Sequence, residues 1–202
     1  MYRTRIHRCL PLGLSFAIVA LSPAAAWAHP GVGPATGLFH GFAHPILGWD
    51  HVLAMVAVGL WAAQRGGRAV WAIPAAFVVT MAAGGALGAA GIPLPGVEAG
   101  ILASVLVLGT LIAAAARLPV GVCAAVAALF ALFHGHAHGA EMPASVQGLA
   151  YGLGFCTATT FLHATGALLF VSMRRALGAR QLQWVRFGGA AIALGGLLLW
   201  LG

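Results

Sequence analysis

Three observations predict an all-α integral membrane fold, a bundle of six transmembrane helices after a cleaved N-terminal signal peptide. The chain is 61% hydrophobic and only 6% charged, whereas soluble domains carry roughly 25% charged residues. Apolar segments of near-spanning length recur from residue 45 to the end. Every basic residue is Arg, and these Arg fall singly or in pairs between the apolar runs. That distribution suits topology determinants rather than a phosphate-binding face. The formal charge of +7 therefore implies no nucleic-acid partner, and the partner the composition does imply is the lipid bilayer.

Taken in order, the chain opens with the features of a secretory signal peptide over residues 1–28. Arg3, Arg5 and Arg8 form a basic start, residues 10–21 are apolar, and Ala26-Trp27-Ala28 offers a small-x-small cleavage site. The rival reading is an uncleaved first helix; no Cys lies near the site, which argues against a lipoprotein. Cleavage would start the mature chain at His29-Pro30-Gly31, outside the cytoplasm, and leave residues 29–202 as one transmembrane domain. The apolar segments then cover residues 45–63, 70–90, 100–116, 120–133, 146–172 and 185–201. A spanning helix needs about 20 residues, with about 17 to 25 tolerated. The fourth segment reaches that length only if its helix continues through His134, His136 and His138. Gly and Pro recur inside the segments, as at Pro74 and Gly84-Gly85, and small residues let helices approach closely in a bilayer. Trp49, Trp61, Trp71, Trp184 and Trp200 fall mostly near segment ends, where an aromatic belt accounts for them. Cys9 belongs to the signal region. Cys123 and Cys156 lie in apolar runs without a CxxC pair and read as buried, inert thiols.

Orientation has its own signal. Six spans that begin outside put the turns after the first, third and fifth helices in the cytoplasm. Those turns carry Arg65 and Arg68, then Arg117, then Arg174, Arg175, Arg180 and Arg186, which are all the Arg beyond the signal region. The same topology collects the only acids, Asp50, Glu98 and Glu141, at or near the outer side. His29, His40, His44, His51, His134, His136 and His138 join them there, and only His163 lies deep in the fifth helix.

Two segments nearly repeat: Leu38-Phe39-His40-Gly41-Phe42-Ala43-His44 and Leu132-Phe133-His134-Gly135-His136-Ala137-His138. Each precedes a helix that runs inward, as a parallel duplication would. With about 100° between successive helical residues, His134, His138 and Glu141 share one stripe while His136 points away. Pro45 disfavours helix immediately before it, so His40 and His44 are expected in a loop or cap. His44 and His51 can share a face, with Asp50 to one side as a ligand or as acceptor for a histidine N–H. An ionised Asp within a transmembrane helix costs roughly 2.5–3.5 kcal/mol and generally has a partner or a function. Borderline divalent metals take imidazole nitrogen and carboxylate oxygen, so the pattern points to a metal site built from His44, Asp50, His51, His138 and Glu141, with His40 and His134 beside them. His29 could chelate through its imidazole and a freed amine. Glu98 reads as a ligand, a gate or a surface acid, and His163 as an exit relay or a partner in an inter-helix hydrogen bond.

The pair of motifs His44-Pro45-x-x-Gly48-x-Asp50-His51 and Phe133-His134-Gly135-x-Ala137-His138-Gly139-x-Glu141 resembles the HupE/UreJ family of nickel and cobalt permeases. The resemblance covers nearly the whole mature chain, with no departure in either motif. It implies a cleaved signal peptide, about six transmembrane helices and a working association with nickel enzymes such as hydrogenase or urease. It also implies Ni2+ (or Co2+) as a transported substrate, with no organic cofactor. By resemblance the functional residues fall on His44, Asp50, His51, His138 and Glu141, and Glu98 matches the acidic residue of the intervening loop.

The function expected is therefore import of a divalent cation across the inner membrane from an outward-facing site. Nothing suggests ATP coupling, since no GxxxxGK[ST] is present. Three other readings compete with this one. A histidine-box membrane oxidase would face the cytoplasm and carry an HxxHH box, which is missing here. A metal sensor or assembly partner would bind the ion without moving it. Serine proteolysis finds only Ser104, Ser145 and Ser172 in the mature chain and no GxSx motif. The protein thus reads as a carrier rather than an enzyme.

Overall fold

The computed structural model describes residues 34–142 and 147–201. The expected signal peptide, its cleavage site, Cys9 and His29 lie outside these residues. The described chain is all helical: α1 (Pro34–Leu47), α2 (Trp49–Arg65), α3 (Ala69–Ala89), α4 (Val97–Ala113), α5 (Val120–Ala140), α6 (Gly148–Leu177) and α7 (Gln181–Leu201). Ala69–Ala89, Val120–Ala140 and the stretch Gly148–Leu201 are long and apolar enough to cross a membrane, and the bent pair α1–α2 would make a further span. Val97–Ala113 is apolar but shorter, at 17 residues.

The helices pair through small residues. Gly84 and Gly88 of α3 face Gly135 and Gly139 of α5, at the same spacing of four and in the same chain direction. A Cβ on Gly135 would run into the Met81 carbonyl, and one on Gly139 into the Gly85 carbonyl. The backbones are in contact there, which is the close approach that small residues permit between apolar helices. α6 receives α1 along its first half, where Gly41 meets Tyr151, and α2 along its second half, where Gly59 meets His163 and Gly166 meets Val56. α7 lies antiparallel on α4 through Gly109, Gly189 and Gly196. A 3-10 turn at Gly178–Arg180 folds α7 back from α6, and Gln181 Nε2 donates to the Phe170 carbonyl at 2.8 Å across that turn.

Several expectations are corrected. His40 and His44 lie inside a helix, not in a loop, with Pro45 accommodated in its last turn. Packing of Gly41 against the α6 backbone outweighs the local cost of the proline, which removes one hydrogen bond close to where the helix ends anyway. The first apolar segment is accordingly two helices, broken at extended Gly48 and bent by 85°. Trp61 does not belong to an interfacial belt. It is fully buried in the core with Met55, Ile73, Phe77 and Ile112, while Trp49, Trp71, Trp184 and Trp200 are exposed. The fourth segment does continue as one helix through His138. Both near-repeats form the end of a helix that precedes another, α1 and α5 respectively. Cys123 is free and buried, and Cys156 is free and half-buried.

The charges separate along the bundle. Arg65 Nη2 donates to the Leu118 carbonyl at 2.8 Å and Arg186 Nε to the Ala113 carbonyl at 2.7 Å. These bonds join the α2–α3, α4–α5 and α6–α7 turns at one end. The ends of α1, α3 and α5 and the starts of α2, α4 and α6 make up the other, where Asp50, Glu98 and Glu141 lie.

Candidate functional site

The acid-bearing end brings together side chains from four helices. His44 comes from the last turn of α1, Asp50 and His51 from the first turn of α2, and His134 and His138 from α5. Glu141 caps α5, and Tyr151 and Phe155 of α6 close one side. The break at Gly48 turns α2 so that Asp50 and His51 fold back over it. A Cβ on Gly48 would stand 2.8 Å from Asp50 Oδ1 and 3.2 Å from His51 Nδ1.

The site is graded by depth. At the mouth, His44 Nε2 lies 3.2 Å from Glu141 Oε2, and their side chains are 39% and 57% exposed. Below them the His138 ring packs on His44 at 4.7 Å between centroids, on His51 at 4.3 Å and on Phe155 at 4.0 Å. Deepest is His134, fully buried, with its ring 4.8 Å from that of His51. One atom from each of His44, His138 and Glu141 falls within 4.8 Å of the others.

Hydrogen bonds fix which imidazole nitrogens are free. His51 Nδ1 stands 2.9 Å from Asp50 Oδ1. A carboxylate only accepts, so Nδ1 carries the proton and Nε2 keeps a lone pair. Ser104 Oγ donates to the Ile101 carbonyl at 2.6 Å and, its one proton spent, accepts from His134 Nε2–H at 2.8 Å. The lone pair of His134 is then on Nδ1. His51 Nε2, His134 Nδ1 and both nitrogens of His138 are buried without a partner. Leaving a buried polar group unpaired costs roughly 1–3 kcal/mol, and such atoms, several together, point to something that they are arranged to meet.

Other expected residues are elsewhere. His40 is exposed on α1, with Phe39 against its ring. Glu98 is exposed in the first turn of α4, at the same end of the bundle but apart from the cluster. His136 turns away from it and places Nε2 2.7 Å from the Ile92 carbonyl. His163 makes no inter-helix hydrogen bond, since neither of its ring nitrogens has a partner. Two residues had no assigned part in the sequence reading. Ser104 orients His134; its signal was a hydroxyl inside an apolar run. Tyr151 has a buried hydroxyl without a partner, with its ring 6.2 Å from that of His44.

Apolar helices closed by glycine contacts, with imidazoles and carboxylates gathered at one end, define a helical membrane protein with a polar side-chain cluster. The HupE / UreJ protein family matches residues 17–199. Protein HupE of Rhizobium leguminosarum bv. viciae is 46% identical over 180 residues, covering 89% of this chain and 92% of the relative. No solved structure matches. The chain belongs to the HupE/UreJ family, a transporter and accessory family associated with nickel and cobalt.

Proposed function

We propose that the protein is a secondary permease that moves a divalent transition-metal cation, nickel or alternatively cobalt, from the periplasm across the bacterial inner membrane into the cytoplasm. The observation that carries this reading is the convergence of His44, His138 and Glu141 to within 4.8 Å. His44 comes from α1, and His138 and Glu141 both come from the end of α5, far away in sequence. Ligand atoms around one ion at about 2.1 Å stand no more than about 4.2 Å apart, so small side-chain rotations would close the trio on a cation. Imidazole nitrogen with carboxylate oxygen suits nickel and cobalt. Family membership supports the same cargo.

In this reading residues 1–28 are removed and 29–202 form the permease domain, with α2 to α7 as its six spans. α2 and α4, at 17 residues each, fall at the short end of the spanning range of about 17 to 25. The Arg-bearing end is cytoplasmic, as the positive-inside rule requires. A hydrated cation meets Glu141 and His44 at the mouth and exchanges water for imidazole. It is drawn toward His138 and His51, whose lone pairs Asp50 and the helix packing hold in place. Glu98 adds negative charge at the same rim, and His134 receives the ion from the inner side of the cluster. His40 and, if cleavage frees it, His29 are outlying donors on that face.

Radioactive nickel uptake, with cobalt and zinc as competitors, tests the reading in cells that express wild type or Asp50→Ala at matched membrane levels. Uptake by wild type and its loss in the variant, by tenfold or more, is the expected result. A well-inserted wild type that binds nickel without uptake would instead make the protein a metal sensor or assembly factor.

A further inference from the structure

Beyond the cluster lies a second set of donors that capture does not use. Phe77, fully buried, places its ring 5.8 Å from that of His134 and 5.1 Å from that of His163. His163 is 3% exposed, and neither Nδ1 nor Nε2 has a partner. One turn earlier on α6, the hydroxyl of fully buried Thr159 stands 3.3 Å from Met55 Sδ and 3.5 Å from Met81 Sδ. Thr157, Thr160 and Thr165 of the same helix each donate to the carbonyl four residues back. Thr159 alone among them turns its hydroxyl toward neighbouring helices.

We infer that Met55, Met81, Thr159 and His163 form an inner relay site for a partly dehydrated transition-metal cation, distinct from the outer cluster. The inference rests on the permease reading and extends it inward. Met55 lies one turn past His51 on α2, about 6 Å along the axis, and His163 abuts Gly59, one turn further still. The donors change along this line from carboxylate and imidazole to thioether and imidazole. Thioethers and imidazoles suit soft to borderline cations. None of the four residues carries a fixed charge, so the ion is held weakly enough to leave, as conduction demands. Simple core packing would account for the threonine and the methionines, but not for an imidazole buried with both nitrogens unpaired.

The test uses the full chain purified in detergent, saturated with Ni2+, and the same chain in proteoliposomes. X-ray absorption of the wild type is expected to show nickel–sulfur scattering, which Met55→Leu/Met81→Leu removes while nickel–nitrogen scattering from the outer site persists. These substitutions conserve volume, so the fold is retained. Nickel flux is expected to fall at least tenfold in that double variant and in His163→Gln. Absence of sulfur scattering in wild type overturns the inner site, whatever the flux. Sulfur scattering with wild-type flux in both variants overturns its relay role. Sulfur scattering without flux in wild type would leave the inner site standing and remove the permease reading instead.

Discussion

Asp50 acts on the cluster twice, through a hydrogen bond and through its charge. Its Oδ1 accepts from His51 Nδ1 at 2.9 Å and so leaves Nε2 as the free base. Asp50→Asn keeps an acceptor for that proton and discards the charge, whereas Asp50→Ala discards both. His136 offers the opposite case. It shares a helix with His134 and His138, yet its only partner is the Ile92 carbonyl at 2.7 Å. His136→Ala is expected to leave nickel uptake within about twofold of wild type. It should lower stability by about 0.5–1.5 kcal/mol, the usual net worth of such a bond, read as a lower melting temperature in detergent. Uptake abolished in His136→Ala would mean that the helical-face assignment is wrong. At this scale much of the cluster was legible, because a charged or imidazole side chain is so rare in this chain that each one stands out. Ser104 and Tyr151 were not, because a hydroxyl acquires its role only from the helix packed against it. His40 and Glu98 share the acid-bearing end without sharing the cluster; sequence reveals a common face more readily than a common point.

At the level of the elements, α3 and α5 fix the depth of His134 and His138 through Gly84, Gly88, Gly135 and Gly139. A methyl group on Gly135 would meet the Met81 carbonyl, so Gly135→Ala must push the helices apart and move both histidines. Reduced thermal stability and at least tenfold lower uptake are expected. Gly152 on α6 has nothing within 4 Å of its Cβ direction. Gly152→Ala should therefore be neutral, or stabilising by up to about 1 kcal/mol through helix propensity. Equal behaviour of the two variants, compared by melting temperature and nickel uptake, would remove the close-contact argument. Hydropathy revealed α2 to α7 but hid α1, since a helix that proline should interrupt is specified by its neighbour and not by its own sequence. The same holds for Trp61: aromatic belts describe average positions, and a tryptophan near a helix end can still be fully buried in the core.

For the whole molecule, separation of charge along the bundle gives a measurable orientation. In a background without Cys9, Cys123 and Cys156, Ala90→Cys lies at the acidic end and Ala114→Cys at the Arg-bearing end, both exposed. A membrane-impermeant thiol reagent applied to intact spheroplasts is expected to label Ala90→Cys and to reach Ala114→Cys only after permeabilisation. The reverse pattern would turn the cluster toward the cytoplasm and remove the outward-facing capture on which the import reading rests. The Arg positions made this axis readable without coordinates, because charge sorting is a property of the sequence. The pairing of α3 with α5 and of α4 with α7 was not readable: apolar helices carry little that distinguishes one partner from another until their glycines are seen to meet.

The mouth pair has a mechanical consequence. His44 and Glu141 are separated by 97 residues, so an ion bound by both, with His138, closes a loop that takes in α2 to α5. Such a tether acts on the folded chain alone, and mass action then adds about 2.7 kcal/mol of stability at an ion concentration a hundredfold above the dissociation constant. Cargo waiting at the entrance would thus serve as a removable clasp. On the proposed permease reading, the protein would be tightest when loaded from outside and would loosen as the ion departs inward.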